Sequence, residues 1–222
     1  MKKLNNFTTF FLYFEENMVG MISIIITSMK DKILTLSSIK VPTPYEIVIS
    51  RKIGLGYARN WGARQAKGEL LVFLDDDLIL QDGFWDEVLK VKKGEFSMPY
   101  PVCTRVLVIH KNDFWKIGGF NEKIFVTHED VDFYFHAIDK GLRFRVFPSN
   151  LFIHIEHPDY RFQNIYKSLR AVRESITFIV KHHKKHPNLI TEFFWGNLKK
   201  LKIRTLLLGF IFLPYCLYKK DY

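Results

Sequence analysis

The stretch that most limits what this chain can fold into is residues 68–80, GELLVFLDDDLIL. Residues 70–74 are five apolar side chains without a polar break, the pattern of a strand buried on both faces. The run ends directly in Asp75, Asp76 and Asp77. Adjacent carboxylates repel one another and lose solvation when buried. At the carboxyl end of a parallel strand, however, they face the crevice where open α/β sheets bind ligands. In an extended segment Asp75 and Asp77 point to the same side and converge on one divalent cation, which can bridge to a diphosphate. A solvated acidic turn remains the alternative, because turns favour Asp for local reasons.

The segments around this strand supply the rest of a sheet. Residues 22–27, ISIIIT, and 46–50, EIVIS, read as buried strands. A short helix is expected over 29–39, then the breaker VPTP. Residues 55–67 read as a helix whose Ala58, Gly62 and Ala66 recur every four positions, a small face able to lie close to a sheet, with Gly68 ending it. Strand, helix, strand, helix, strand with short connections predicts right-handed crossovers and a parallel sheet. Further on, a helix is expected over 82–92 with Phe84, Trp85, Val88 and Leu89 inward, and strands over 96–100 and 105–110. Asn112 is expected to cap a short helix that ends at Gly118-Gly119. Residues 127–130, THED, resemble a capping box, which sets Glu129 and Asp130 in the first turn of a helix buried through Val131, Tyr134, Phe135 and Ile138. Acids suit that turn through the helix dipole alone, and Asp132 and His136, one turn apart, suit a pair. Two more strands are expected over 143–147 and 151–155; His154 and His157 are either ligands or structural.

Composition narrows the partners. A net charge of +10 and a pI near 9.5 favour phosphate-rich ligands or an anionic membrane surface. The two cysteines, Cys103 and Cys216, lie far apart and suggest neither a disulfide framework nor a metal site. Gly54 and Gly56 do not make a dinucleotide fingerprint, since the third glycine would fall at Arg59. A helix start beside Arg51, Lys52 and Arg59 suits an anion or is simply a basic solvated turn.

Taken in order, a β-branched strand, ARNWG at 58–62, KGELLVFLDDD, GGFNE at 118–122, THEDVD at 127–132 and a strand ending in His154 resemble the family 2 glycosyltransferases. The resemblance covers residues 21–157. It implies the GT-A fold, a Rossmann-like three-layer α/β sandwich with a mostly parallel central sheet, here followed by a helical C-terminal tail. It also implies inverting transfer of a sugar from a nucleotide-diphosphate-sugar donor with Mn²⁺ or Mg²⁺. By the same resemblance Asp75, Asp77 and His154 belong with the metal, and Asp130 is the general base. Thr27, Ser50, Arg59, Asn60, Asp75, Asp76 and Glu129 belong with the nucleotide sugar. The family commonly carries an acid after the second strand, as in V-D-D-G-S, against the nucleotide base; this chain has Ser50-Arg51-Lys52 there. Two other classes fit some of the residues: a nucleotidyltransferase, and a non-catalytic basic protein that binds nucleic acid or membrane. The ordered GGFNE and THEDVD blocks weigh against the first. The strand-end acids weigh against a nucleic-acid binder, and no nucleic-acid partner is expected.

The chain divides into an apolar arm over 1–20, a catalytic domain over 21–158 and a basic, apolar helical extension over 159–222. The first segment lacks a small-residue cleavage site, so secretion is not expected; Met18 and Met21 are alternative starts. Residues 161–185 read as a basic helix with Tyr166, Leu169, Val172 and Ile176 on one face. His182, His183 and His186, set among lysines, suit either a metal or a solvated basic run. Residues 206–218, LLLGFIFLPYCLY, are uncharged but shorter than the roughly twenty residues a spanning helix needs. Lys199, Lys200, Lys202 and Arg204 precede them and Lys219 and Lys220 follow. This suits peripheral attachment to the cytoplasmic face of a membrane through 199–222, or a helix packed on the domain. The acceptor is left open: a glycan, a lipid-linked sugar or a protein.

Overall fold

Strands that are apolar at every position need cover on both faces, and the fold provides it. The computed structural model describes residues 20–124, 128–155, 174, 178, 181, 182 and 184–188. At its centre lie two parallel strands, β1 (Ile22–Thr27) and β3 (Leu70–Leu74), in register from Ile22 opposite Leu70 to Ile26 opposite Leu74. The main sheet adds β2 (Tyr45–Ser50), β5 (Glu95–Met98), β6 (Val106–His110) and β7 (Arg143–Val146), in the order β2-β1-β3-β6-β5-β7. Three of its five neighbour pairings are parallel, and β6 runs antiparallel to both β3 and β5. A second, two-stranded sheet pairs β4 (Leu78–Leu80) with β8 (Phe152–His154).

Alternate residues of the central strands enter opposite cores. Ile22, Ile24, Ile26, Leu70, Val72 and Leu74 pack with Phe84, Trp85, Val88, Phe147 and Phe152. Ile25, Leu71 and Phe73 pack on the other side with Ala63, Phe114, Phe120, Phe133 and Ala137. The first core is roofed by α2 (Phe84–Val88), the second by α1 (Leu55–Gln65), α3 (Lys111–Lys116) and α4 (Glu129–Asp139). The result is three layers with a mostly parallel central sheet, as expected from the sequence.

The second core carries much of the chain's aromatic content to a purpose. Phe73 of β3 meets Phe114 of α3 at 5.2 Å between centroids, and Phe120 stacks on Phe133 of α4 at 4.6 Å. Such ring pairs add about 0.5–1.5 kcal/mol each beyond the area they bury. They fix α3, the turn at 118–121 and α4 to one another.

Several local expectations give way to tertiary bonds. In place of a helix over 29–39 the chain forms only a 3₁₀ turn, Leu34–Ser38. The amides of Leu34 and Thr35 donate to the carbonyl of Asp76, and the fully buried Thr35 hydroxyl donates to the carbonyl of Asp75. Donors committed across the fold are lost to a local helix. The helix expected over 82–92 shortens to Phe84–Val88, though Phe84, Trp85 and Val88 are buried as expected. Asn112 lies inside α3 rather than capping it; the cap position is His110. The cap position of α4 is His128, in the left-handed region at φ 66°, and makes no side-chain cap bond; Thr127, on which the expected capping box rests, lies outside the described residues. The buried face of α4 is Glu129, Asp132, Phe133 and Ala137, while the expected Val131, Tyr134, Phe135 and Ile138 are only half-buried. Gly68 does not end α1 through a left-handed turn. It is glycine because a Cβ would meet Met21 O and the Ser23 amide.

The helical face at 166–176, His183, His157, Cys216 and the uncharged run 206–218 lie outside the described residues. Among the described residues no helix is long and apolar enough to cross a membrane.

The small face of α1 makes a sharp prediction. Ala58, Gly62 and Ala66 are all buried, and a Cβ on Gly62 would collide with Cγ2 of Ile25. Gly62→Ala gains helix propensity but overpacks the junction, and a net loss of about 1–3 kcal/mol is expected in chemical denaturation. An unchanged or raised midpoint would show that α1 is free to ride up off the sheet.

Candidate functional site

Because β1, β2 and β3 are parallel, their carboxyl ends open on the same edge of the sheet. Thr27, Ser50 and Leu74 end these strands, and the acidic run follows the last. The run is a tight turn into β4, not an extended segment, so Asp75 and Asp77 do not share a side by pleat alone. Thr35 holds the turn from beneath: its hydroxyl donates to Asp75 O at 2.7 Å and accepts from the Leu78 amide at 2.9 Å. The Asp75 amide donates to Arg105 O, and Asp77 O accepts from the Ile155 amide.

From this turn the three carboxylates go separate ways. Asp76 accepts from the Ser28 hydroxyl and from Lys30 Nζ at 2.9 Å. Asp77 Oδ2 lies 3.5 Å from His154 Nε2, brought there because Leu78 pairs with His154 across the small sheet. Asp75 Oδ1 accepts from Arg59 Nη2 at 3.2 Å, and Arg59 Nη1 donates to Glu129 Oε1 at 3.2 Å. One guanidinium, 3% exposed, thus joins the acidic turn to the first turn of α4. Its flat face lies over the Phe120 ring at 5.3 Å.

The neighbouring Asn60 explains why the ARNWG and GGFNE blocks belong together. Its amide donates to Phe120 O and its carbonyl accepts from the Phe120 amide, both at 2.9 Å. It also donates to Glu122, which Arg64 pairs from the next turn. Gly56 is required here, since a Cβ would sit 2.9 Å from Asn121 O. Arg59 and Asn60, expected to line the nucleotide pocket, are buried and hold groups of the acidic turn, α4 and the 118–122 turn. Ser50 is 1% exposed and lies beneath the cleft floor, whereas Thr27 is half-buried at its edge. Arg51, standing where the family's acid would be, folds back to donate to Ser28 O at 3.1 Å and to Lys30 O.

Electrostatics single out two acids. Burial pushes Asp75 up to about 6; Arg59 opposes the shift, and the charges of Asp77 and Glu129 add to it. Its side chain still keeps a 31% exposed edge at the cleft. Asp130 is also pushed up to about 6, by burial and then by the adjacent Glu129 carboxylate. Cys103 lies in reach of both: burial raises its thiol, and the charges of Asp130 and Asp75 raise it further. Nothing in the sequence pattern marked Cys103 or Thr35; each enters through a contact far along the chain. Two buried acids poised near neutrality in one cleft are the usual mark of a working site.

Among the described residues no group of three or more His, Cys, Asp and Glu is placed to hold a metal ion. The donor types nevertheless fit one. Asp77 with His154 offers a carboxylate oxygen and an imidazole nitrogen side by side, and Asp75 is close enough for its charge to be felt. Mg²⁺ and Mn²⁺ sites of this kind take few protein ligands and complete their shell with phosphate oxygens and water.

Comparison with known proteins agrees with this geometry. The family model described as Glycosyl transferase family 2 matches residues 44–153. No curated protein matches the sequence. Among solved structures, the catalytic domain of Drosophila β1,4-galactosyltransferase 7 in complex with xylobiose superposes with a TM-score of 0.53 at 15% identity, over 66% of this chain and 75% of that one. The same enzyme in complex with manganese, UDP-Gal and xylobiose gives 0.53 at 14% identity, over 66% and 75% of the two chains. A mannosyltransferase from Pyrobaculum calidifontis in complex with GDP-Man and Mn²⁺ gives 0.56 at 11% identity, over 90% of this chain and 76% of that one. At such identities the likeness is one of fold.

The bridge through Arg59 is open to a direct test. Arg59→Met leaves Glu129 buried and Asp75 part-buried without their cation, and a loss on the order of 3 kcal/mol is expected at pH 8. The sign with pH follows from Asp75 and Asp130. Both folded-state values lie above the ordinary 3.8, so their ionised forms cost stability above about pH 6, and that cost is relieved as pH falls through 6. At pH 5 a protonated Asp75 no longer needs the guanidinium, and the loss in Arg59→Met should shrink. Denaturation curves showing the same loss at both pH values would rule out an electrostatic role for the bridge.

Proposed function

The chain belongs to glycosyl transferase family 2 and is a glycosyltransferase, and from that premise we propose that it transfers a sugar from a nucleotide-diphosphate-sugar donor to an acceptor hydroxyl, with inversion, using Asp130 as the general base. The observation that carries this reading is the pair of raised acids, Asp75 and Asp130, on separate segments joined through Arg59 and Glu129. An inverting transfer needs two acidic functions at one cleft, one toward the donor diphosphate and one toward the acceptor.

Asp130 suits the second. Its place in the first turn of α4 sets the carboxylate at the cleft, and a value near 6 leaves it ionised at neutral pH yet basic enough to take a proton. In the displacement, the acceptor oxygen forms its bond to the anomeric carbon from the face opposite the diphosphate. Its proton passes to Asp130, and the bond from that carbon to the diphosphate oxygen breaks with its electron pair on the leaving group. Glu129, held by Arg59, supplies the neighbouring charge that raises Asp130.

The donor side falls to the acidic turn. Asp77 and His154, with Asp75 beside them, are the residues that would hold Mn²⁺ or Mg²⁺. Such a cation, when bound, neutralises charge developing on the departing diphosphate. Asp76, which accepts from Ser28, and Thr27 at the end of β1 are the residues that would face the nucleotide. The solved neighbours with manganese and UDP-Gal, and with GDP-Man and Mn²⁺, support a donor and cation of this class.

Two variants separate the roles. Asp77→Ala should abolish the Mn²⁺-dependent rise in melting temperature that UDP or GDP produces, while the metal-free protein melts as before. Retained metal-dependent stabilisation would remove Asp77 from the cation site. Asp130→Asn keeps the shape but cannot take the proton, so turnover should fall at least about a hundredfold with nucleotide affinity little changed. In the wild type the base works only when ionised. Activity should therefore be full above about pH 6 and decline about tenfold per unit below it, a limb that Asp130→Asn should lack. A rate flat from pH 7 to 5 would reject Asp130 as the base.

A further inference from the structure

The catalytic helix does not lie on the sheet unaided: residues from beyond position 158 grip it at successive turns. Glu174, Phe178 and His182 recur every four residues and all are buried, so they form one face of a helix. At the start of α4, His128 holds a left-handed backbone at φ 66°, uncommon outside glycine. The Phe178 ring meets it edge-on at 5.4 Å. One turn on, Asp132 is 1% exposed and its carboxylate accepts from Lys181 Nζ at 2.7 Å and from His182 Nε2 at 2.8 Å. Phe135 lies among Phe178, His182 and His186, the last at 4.2 Å between centroids. Two turns after Asp132, Asp139 pairs with Lys185 at 3.1 Å and His186 at 3.4 Å.

These contacts answer a question that the site leaves open. The buried face of α4 carries two acids, Glu129 and Asp132, where a helix of this kind would ordinarily place aliphatic side chains. Glu129 is neutralised from the sheet side by Arg59. Asp132 needs a cation from the other side. Burial by itself would raise its carboxyl, but the bonds from His182 and Lys181 outweigh it and hold the group below the usual aspartate range. The helix is thus held by cations from two separate segments, and Asp130 lies between the two gripped residues in sequence.

We propose that Phe178, Lys181 and His182 are positioning residues of the catalytic unit: through Lys181 and His182 on Asp132, and Phe178 on His128, they fix the rotation of α4 and so the direction in which Asp130 enters the cleft. The proposal rests on Asp130 being the base only for its consequence in catalysis. The positioning itself is read without any substrate. Lys181 and His182 are positioning residues, since they act through Asp132 and touch no reacting group.

Hydrogen–deuterium exchange on the full chain tests it. In His182→Ala, amide exchange in the peptide covering 128–139 should rise at least about tenfold, with exchange in β1 and β3 unchanged. His182→Gln, which keeps a side-chain N–H donor, should restore most of the protection. If α4 exchanges as in the wild type, or if β1 and β3 accelerate to the same degree as α4, these residues do not position the helix and the proposal falls. Should the alanine variant not fold, Lys181→Met, at a half-exposed residue, must still raise α4 exchange several-fold; unchanged exchange there overturns the proposal. None of these readings depends on turnover, so they stand apart from the test of Asp130 as base.

Discussion

A guanidinium that is 3% exposed and donates to carboxylates 16 and 70 residues away in sequence sets the form of this cleft. Arg59 can do this because of its chemistry: a planar fork with several donors, always charged, and only weakly hydrated for a cation. A lysine at the same place would present a single point charge and a larger desolvation cost. The two acids it joins have different duties. Asp75 belongs to the turn after the central strand, and Glu129 stands beside Asp130 at the head of α4. With the guanidinium between them, the acidic turn and the head of α4 are parts of one electrostatic unit.

The surroundings of Arg59 keep that unit rigid. Asn60 closes a two-way bond with the backbone of Phe120, and Phe120 stacks on Phe133 of α4 while lying under the guanidinium. The glycines at 56 and 62 let α1 come close enough on both sides for these bonds to form. A short helix with a small face therefore carries more than its own packing: it delivers a cation to a point that no surface loop could reach. Beneath the acidic turn, Thr35 does comparable work with one hydroxyl, giving to Asp75 O and taking from the Leu78 amide. The cost is the local helix that the sequence around it would otherwise form.

Raised acids are costly, and their place in the fold shows why the cost is tolerated. Asp75 and Asp130 are both pushed to about 6 by burial, with neighbouring carboxylates adding to the effect. Asp132, only two residues from Asp130, shifts the other way because Lys181 and His182 reach it. Opposite shifts on one turn of helix separate a group held near 6 from one kept ionised and bound. The environment, not the residue type, makes that distinction.

Much of this was legible in the sequence. The apolar run ending in three acids located the central strand and the cleft, because only a strand covered on both faces tolerates five unbroken apolar residues. The spacing of Ala58, Gly62 and Ala66 gave the close face of α1, and the order of the ARNWG, GGFNE and THEDVD blocks pointed to the family. What periodicity could not say was which partner each polar group would find. Arg59 looked like a pocket residue and proved to be a buried bridge. Asp132 looked ready to pair with His136 one turn away and instead took Lys181 and His182, some fifty residues on. The 29–39 helix failed for the same reason. In the central strands and α1 burial follows local period, whereas on α4 the ion pairs of Glu129 and Asp132 put a different face inward. Hydrogen bonds and ion pairs are short-ranged and directional, so their partners are chosen only when distant segments meet in the folded chain.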